Sequence, residues 1–313
     1  MRLLFAAAVF TLAAHTAPLR DVAFSPDSTL LATGGVDATV KLWRTSDRRL
    51  LRNMVHPAGV TSLAFSADGQ TLVTGSYDAL VRVWRIRDGA LLQTLRGHEG
   101  TVWTVAVHGD TIASAGEDRS IRLWRGGKLL RVLRGHTLNV WGVAFTPDGR
   151  FLTSGSFDRT ARICRTDNGA LVRTLTGHTQ AIVGIAISPD GQWLATGGDD
   201  SAVRIWRLRD GRLMHTLTKG IQHIYAVAFS ADSQTVAAAG RERSAIGTLW
   251  EQIAPESLHG DNHPTVTLFR VRDGALLRQY AEHASDAVAV AFSRDGRWLA
   301  SGGEDAKVKL MAR

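Results

Sequence analysis

A single cysteine, Cys164, stands in the 313 residues, so neither an intrachain disulfide nor a zinc site built on several thiolates is available. The fold must hold by packing alone. No later segment reads as transmembrane, and the apolar run Leu3 to Ala14 is too short to span a bilayer as a helix. No phosphate-cradling glycine motif and no nucleophile elbow occurs, because Gly34-Gly35 and its repeats belong to a turn after a strand. No long helical pattern interrupts the chain. What is present is globular material: 44% hydrophobic and 21% charged residues, enough for a large core and too apolar for disorder. Lys and Arg number 37 against 29 Asp and Glu, a net +8 that would favour acidic partners if gathered on one face.

Length alone suggests two domains, but internal repetition overrides it. Gly97-His98, then Val105-Ala106-Val107, then Ser114 through Asp118 to Trp124 returns as Gly135-His136, Ser154, Asp158 and Cys164, and again as Gly177-His178, Thr196, Asp200 and Trp206. The histidines His56, His98, His136 and His178 recur at about 40 residues, the period of a four-stranded propeller blade. Alternating apolar stretches such as Val22-Ala23-Phe24 and Val40-Lys41-Leu42-Trp43 are separated by Ser25-Pro26-Asp27 and Arg87-Asp88-Gly89 turns. Counting these signals predicts seven all-β units.

These residues resemble the WD40-repeat (WD-repeat) family, from about residue 10 to Arg313. The resemblance implies an all-β, seven-bladed β-propeller of four-stranded antiparallel blades, a single domain over 1–313, with interaction and not catalysis as its role. One departure is systematic: the dipeptide ending strand three is Trp-Arg, as at Trp43-Arg44 and Trp84-Arg85, where the family has Trp-Asp.

Because the chain ends on the third strand of blade seven, the fourth must come from elsewhere. Phe10-Thr11-Leu12 and His15-Thr16 match Arg173-Thr174-Leu175 and His178-Thr179 in register, so residues near 5 to 12 can supply it. Two readings of 1–14 stay open. They are the closing strand of a cytoplasmic propeller, or a signal-like segment that would make the protein secreted or periplasmic.

Each blade groups a His, a Ser or Thr, an Asp and a Trp: His56, Thr74, Asp78 and Trp84; His98, Ser114, Asp118 and Trp124; His136, Ser154 and Asp158; His178, Thr196, Asp200 and Trp206; His283, Ser301 and Asp305. A Ser/His/Asp set invites a hydrolase reading. Its multiplicity argues for a structural polar network instead, since catalysis needs one constellation and a fold needs the same buried groups satisfied in every unit. No catalytic residue, metal or cofactor is expected. Blade six departs, with Gly220 in the His place, Ala239 in the Ser/Thr place and Phe269 in the Trp place, and an insertion over 241–262 that carries Trp250. His259 and His263 flank Asp261 there, a pairing read as a solvated loop.

Since His and Asp of one blade must meet, the loops before strand one and after strand two share an end. The resemblance makes that end the partner face. It is contacted through the residue after the first strand-one Val (Arg20, Thr61, Trp103, Trp141, Val183, Tyr225, Ala289) and the residue before the Asp (Val36, Tyr77, Glu117, Phe157, Asp199, Glu304). Tyr77, Trp103, Trp141 and Phe157 gather on adjacent blades as a hot-spot candidate. Trp193 and Trp298 belong to packing at the other end. The expected function is a scaffold for other proteins or peptides, a monomeric propeller within a larger assembly. Nucleic-acid or other polyanion binding is the alternative. The basic residues recur on every blade, as at Lys41, Arg82, Arg122, Arg162, Arg204 and Lys309, which spreads charge around the ring and gives no phosphate-tracking groove.

Overall fold

The alternation that marks each repeat folds into four antiparallel strands joined by tight turns. In blade one these are Leu19–Phe24, Leu30–Gly35, Thr39–Arg44 and Leu50–Val55. The computed structural model describes residues 8–219, 222–241 and 265–313. Its seven four-stranded sheets form a β-propeller. Six sheets use consecutive strands, and the seventh combines Ala287–Phe292, Trp298–Gly303 and Lys307–Ala312 with Val9–Ala13 from the other end of the chain. That outer strand pairs antiparallel, from Val9 opposite Met311 to Ala13 opposite Lys307. Among the described residues no helix is long and apolar enough to cross a membrane.

Turn chemistry ends the strands. After strand one of the first blade, the Ser25 hydroxyl donates to Asp27 at 2.5 Å, and Asp27 accepts the backbone N–H of Thr29. The chain turns through Ser28 at φ 61°, where blades two, four and five place Gly69, Gly149 and Gly191. Glycine has no Cβ penalty in this left-handed region.

Burial follows position in the blade. Second strands are buried nearly throughout, as in Leu31–Gly35, because neighbouring blades cover both faces; fourth strands such as Leu171–Leu175 face solvent. Seven apolar clusters lie between successive blades. One joins Ile121, Leu123 and Leu133 of blade three to Val140, Leu152 and Cys164 of blade four, and another joins Leu310 of blade seven to Leu19 and Trp43 of blade one. Leu31, Leu72, Leu152, Leu194 and Leu299 are each under 2% exposed. Burial of each such side chain contributes about 1.5–3 kcal/mol.

Every innermost strand has a register shift at the same place, with Arg20, Thr61, Trp103, Trp141, Val183, Tyr225 and Val288 left out of the ladder. Two residue assignments made from the repeat pattern therefore move by one. Val288, not Ala289, is the blade-seven member of this set. In blade six Ala238, not Ala239, lies opposite Val227, as Thr33 lies opposite Val22 in blade one.

Candidate functional site

The repeated shift is a β-bulge, which leaves one residue unpaired and re-aims its side chain. Arg20, Thr61, Trp103, Trp141, Val183 and Tyr225 accordingly line one mouth of the central channel, a cavity of about 170 Å³ that also admits Val288 and Ala289. The other mouth is larger, about 720 Å³, and is ringed by Phe24, Phe65, Phe145, Phe229 and Phe292, with His108 and Arg294 among them.

On the first mouth the four aromatic residues singled out by sequence form a continuous ladder. Tyr77 meets Trp103 edge-on at 5.6 Å, Trp103 stacks on Trp141 at 4.0 Å, and Trp141 stacks on Phe157 at 5.0 Å, all between ring centroids. All four are partly buried. Offset stacking and edge contacts of this kind add about 0.5–1.5 kcal/mol per pair beyond burial. Arg20 extends the row, its Nε donating to the Tyr77 hydroxyl at 3.0 Å. The Trp103 indole N–H is sealed from solvent with no acceptor among the described residues.

The remaining predicted face residues lie apart from the ladder. Glu117 turns back on its own loop, accepting the Thr101 N–H at 2.9 Å. Asp199 faces His223 at 3.7 Å, and burial raises its carboxyl above the usual range. Tyr225 donates to Asp286 at 3.2 Å, and burial together with Asp286 pushes its phenol up to about 12; Glu304, exposed, adds to that rise. Trp250, Gly220, His259 and His263, and all but Arg241 of the blade-six insertion, lie outside the described residues. Sequence reasoning missed Asp286. It also missed Asp21, a channel-lining carboxylate that accepts the Leu63 N–H of blade two at 2.7 Å and that burial raises to about 6. The signal for Asp21 was a charged residue where the other blades carry Ser62, Thr104, Gly142, Gly184, Ala226 or Ala289.

The His, Ser/Thr, Asp and Trp groups are brought together blade by blade. In blade three, His98 Nδ1 is 3.0 Å from Asp118, His98 Nε2 is 2.8 Å from Ser114 Oγ, and Trp124 Nε1 donates to the same Oγ at 2.8 Å. Blade five repeats this with His178, Asp200, Thr196 and Trp206 at 2.7–2.9 Å. Blade four holds His136 between Asp158 and Ser154 at 2.8 Å each. Blade seven holds His283 between Asp305 at 3.0 Å and Ser301 at 2.8 Å. A further set not singled out from sequence stands in blade one, with His15 Nδ1 2.9 Å from Asp37, His15 Nε2 2.9 Å from Thr33, and Trp43 donating to Thr33 at 3.1 Å.

Blade two is different. His56 Nε2 and Trp84 Nε1 both reach Thr74, at 3.0 and 3.1 Å, but Asp78 is held by Arg82 at 2.6 Å and His56 Nδ1 has no partner. Burial, with the Arg82 charge, lowers His56 to about 4.

Many of the arginines are matched by a carboxylate of their own blade. Arg82, Arg122 and Arg204 are buried against Asp78, Asp118 and Asp200, while Arg44, Arg85, Arg207 and Arg270 pair with the Asp of the adjoining hairpin. Among the described residues no three His, Cys, Asp or Glu side chains gather as they would around a metal ion.

The family described as "WD domain, G-beta repeat" matches residues 7–44, 48–85, 89–125, 127–164, 169–207 and 274–310. Over 79 residues the chain is 35% identical to a probable cytosolic iron-sulfur protein assembly protein Ciao1 of Culex quinquefasciatus. That stretch covers 23% of this chain and 23% of the relative.

Proposed function

The chain belongs to the WD40-repeat family, and from that premise we propose that it is a non-catalytic scaffold binding a protein or peptide partner on the channel mouth that carries Tyr77, Trp103, Trp141 and Phe157. The observation that carries this reading is the unbroken aromatic ladder across blades two, three and four. Rings already stacked lose little side-chain entropy on binding, and Trp and Tyr dominate the energetics of protein interfaces. The repeated polar network supports a structural role over a hydrolytic one, because the Ser or Thr oxygen is buried and, in four blades, already accepts an indole N–H. The Culex relative is named for an assembly process, which fits a propeller working within a larger assembly; the short likeness supports no more than that.

The test is an affinity pull-down from the native host with wild type beside a Trp103→Ala/Trp141→Ala double variant, both first shown to melt alike. Specific proteins should be recovered by wild type and lost from the double variant. Equal recovery by a folded double variant would sink the assignment of this face.

A further inference from the structure

Blade four alone among the first five carries no aromatic residue at the end of strand three. Cys164 lies opposite Leu152 there, as Trp43, Trp84, Trp124 and Trp206 lie opposite Leu31, Leu72, Ile112 and Leu194. Replacing an indole by a thiol removes volume that close packing would otherwise fill. It also leaves the Ser154 hydroxyl without the indole donor that Thr33, Thr74, Ser114 and Thr196 receive. In place of the ring is a cavity of about 180 Å³ between blades three and four, floored by Ser154 and Cys164.

Its walls are cationic. Arg119, Arg131, Arg134 and Arg162 line the cavity, and no carboxylate does. None of the four forms an ion pair among the described residues, and the polar contact of Arg119 is to the Thr137 carbonyl at 3.4 Å. Arg162 is the informative member. Its counterparts Arg82, Arg122 and Arg204 each pair with the Asp of their own blade at 2.6–3.2 Å. Arg162 makes no such pair, although Asp158 keeps contacts with His136, the Thr137 N–H and Thr160 like those of Asp118 with His98, the Glu99 N–H and Ser120. The Arg162 guanidinium lies against Gly135, and its Nε, like that of Arg122, is buried and unpartnered. A partly buried guanidinium with an unsatisfied donor, beside three more and no counter-charge, is an arrangement that an oxyanion would complete.

We propose that this cleft binds a phosphoryl group, as a free anion or on a phosphorylated side chain, with Arg162 at its centre and Arg119, Arg131 and Arg134 at its rim. The site is separate from the aromatic mouth and does not depend on it. Its volume suits one phosphoryl group and not an extended polyanion.

Isothermal calorimetry of the whole chain, at ionic strength fixed with chloride, would compare inorganic phosphate with a capped phosphoserine tripeptide and its unphosphorylated form. Saturable binding of phosphate is expected. Tighter binding of the phosphotripeptide would identify a side chain as the source, and binding of phosphate alone would identify the free anion. Arg162→Met should weaken binding about tenfold or more, as loss of a charge-assisted pair does. Cys164→Trp should abolish binding while raising the melting temperature, because the ring refills the cavity and restores the donor to Ser154. No saturable phosphate binding in wild type, or undiminished binding in folded Arg162→Met or Cys164→Trp, would overturn the proposal.

Discussion

His56 shows how a single partner swap changes the chemistry of a repeated residue. Its unfolded-state value is the ordinary 6.5 and its folded value about 4, so between those pH values the unfolded chain holds the extra proton. Its contribution is intact above 6.5 and is lost as pH falls toward 4. Burial lowers His15 and His178 in the same direction. Asp21 runs the other way: raised from 3.8 to about 6, it costs stability as pH rises through that window. Burial raises Asp199 in the same sense as Asp21, so three lowered imidazoles stand against two raised carboxyls, and the melting temperature should fall on acidification from pH 7 to 5; a rise would contradict the assignment. The His56 ring should titrate near 4 by NMR, where a midpoint at or above 6.5 would mean that Asp78 had returned to it. Asp118→Ala, which strips His98 and Arg122 of a shared acceptor, should cost about 1–3 kcal/mol in denaturant unfolding, and an unchanged midpoint would refute it. The repeat pattern carried these groups into view because their spacing is rigid. It could not show which of two partners, His or Arg, Asp78 or Asp158 would take, since Arg stands at the same place in blades two through five and only packing decides the pairing.

At the scale of the element, the outer strand of blade seven carries the most consequence per residue. Leu12 is buried where it faces the cluster shared with blade one. Leu12→Ala should therefore destabilise by about 2–5 kcal/mol, measurable by chemical denaturation. Removing residues 1–14 would leave Lys307–Ala312 with an unpaired edge, so the shortened chain should melt lower and self-associate with rising concentration in size-exclusion chromatography. A monomer of unchanged stability would show that this strand is dispensable. Strand identities were legible from alternation and turn residues, but the register was not where landmarks are missing. Ala287 occupies the place of Leu19, Val60 and Val102, which moved the apparent first large residue to Val288, and the run Ala237-Ala238-Ala239 offers no side chain to count from.

For the whole molecule, the fold was legible because seven copies of one pattern restate it, whereas the aromatic ladder depends on the bulges and on ring orientations that no spacing encodes. Net charge misleads in a similar way. Pairing of Arg82, Arg122 and Arg204 with Asp, and of the hairpin arginines likewise, removes equal charge of both signs and leaves the +8 intact, but basic positions that recur on blade after blade spread it around the ring, where salt screens it from a distant phosphate. Retention of a short DNA duplex should therefore vanish by about 0.15 M salt, and a complex persisting there would restore the polyanion reading. The bulges have another consequence. Since the residue at each one takes no part in the ladder, its identity is decoupled from the strand pairing within its own blade. The mouth thus behaves as letters written on a fixed page, where recognition can be revised while the strand ladder stays untouched, although stacked neighbours such as Trp103 and Trp141 are read together.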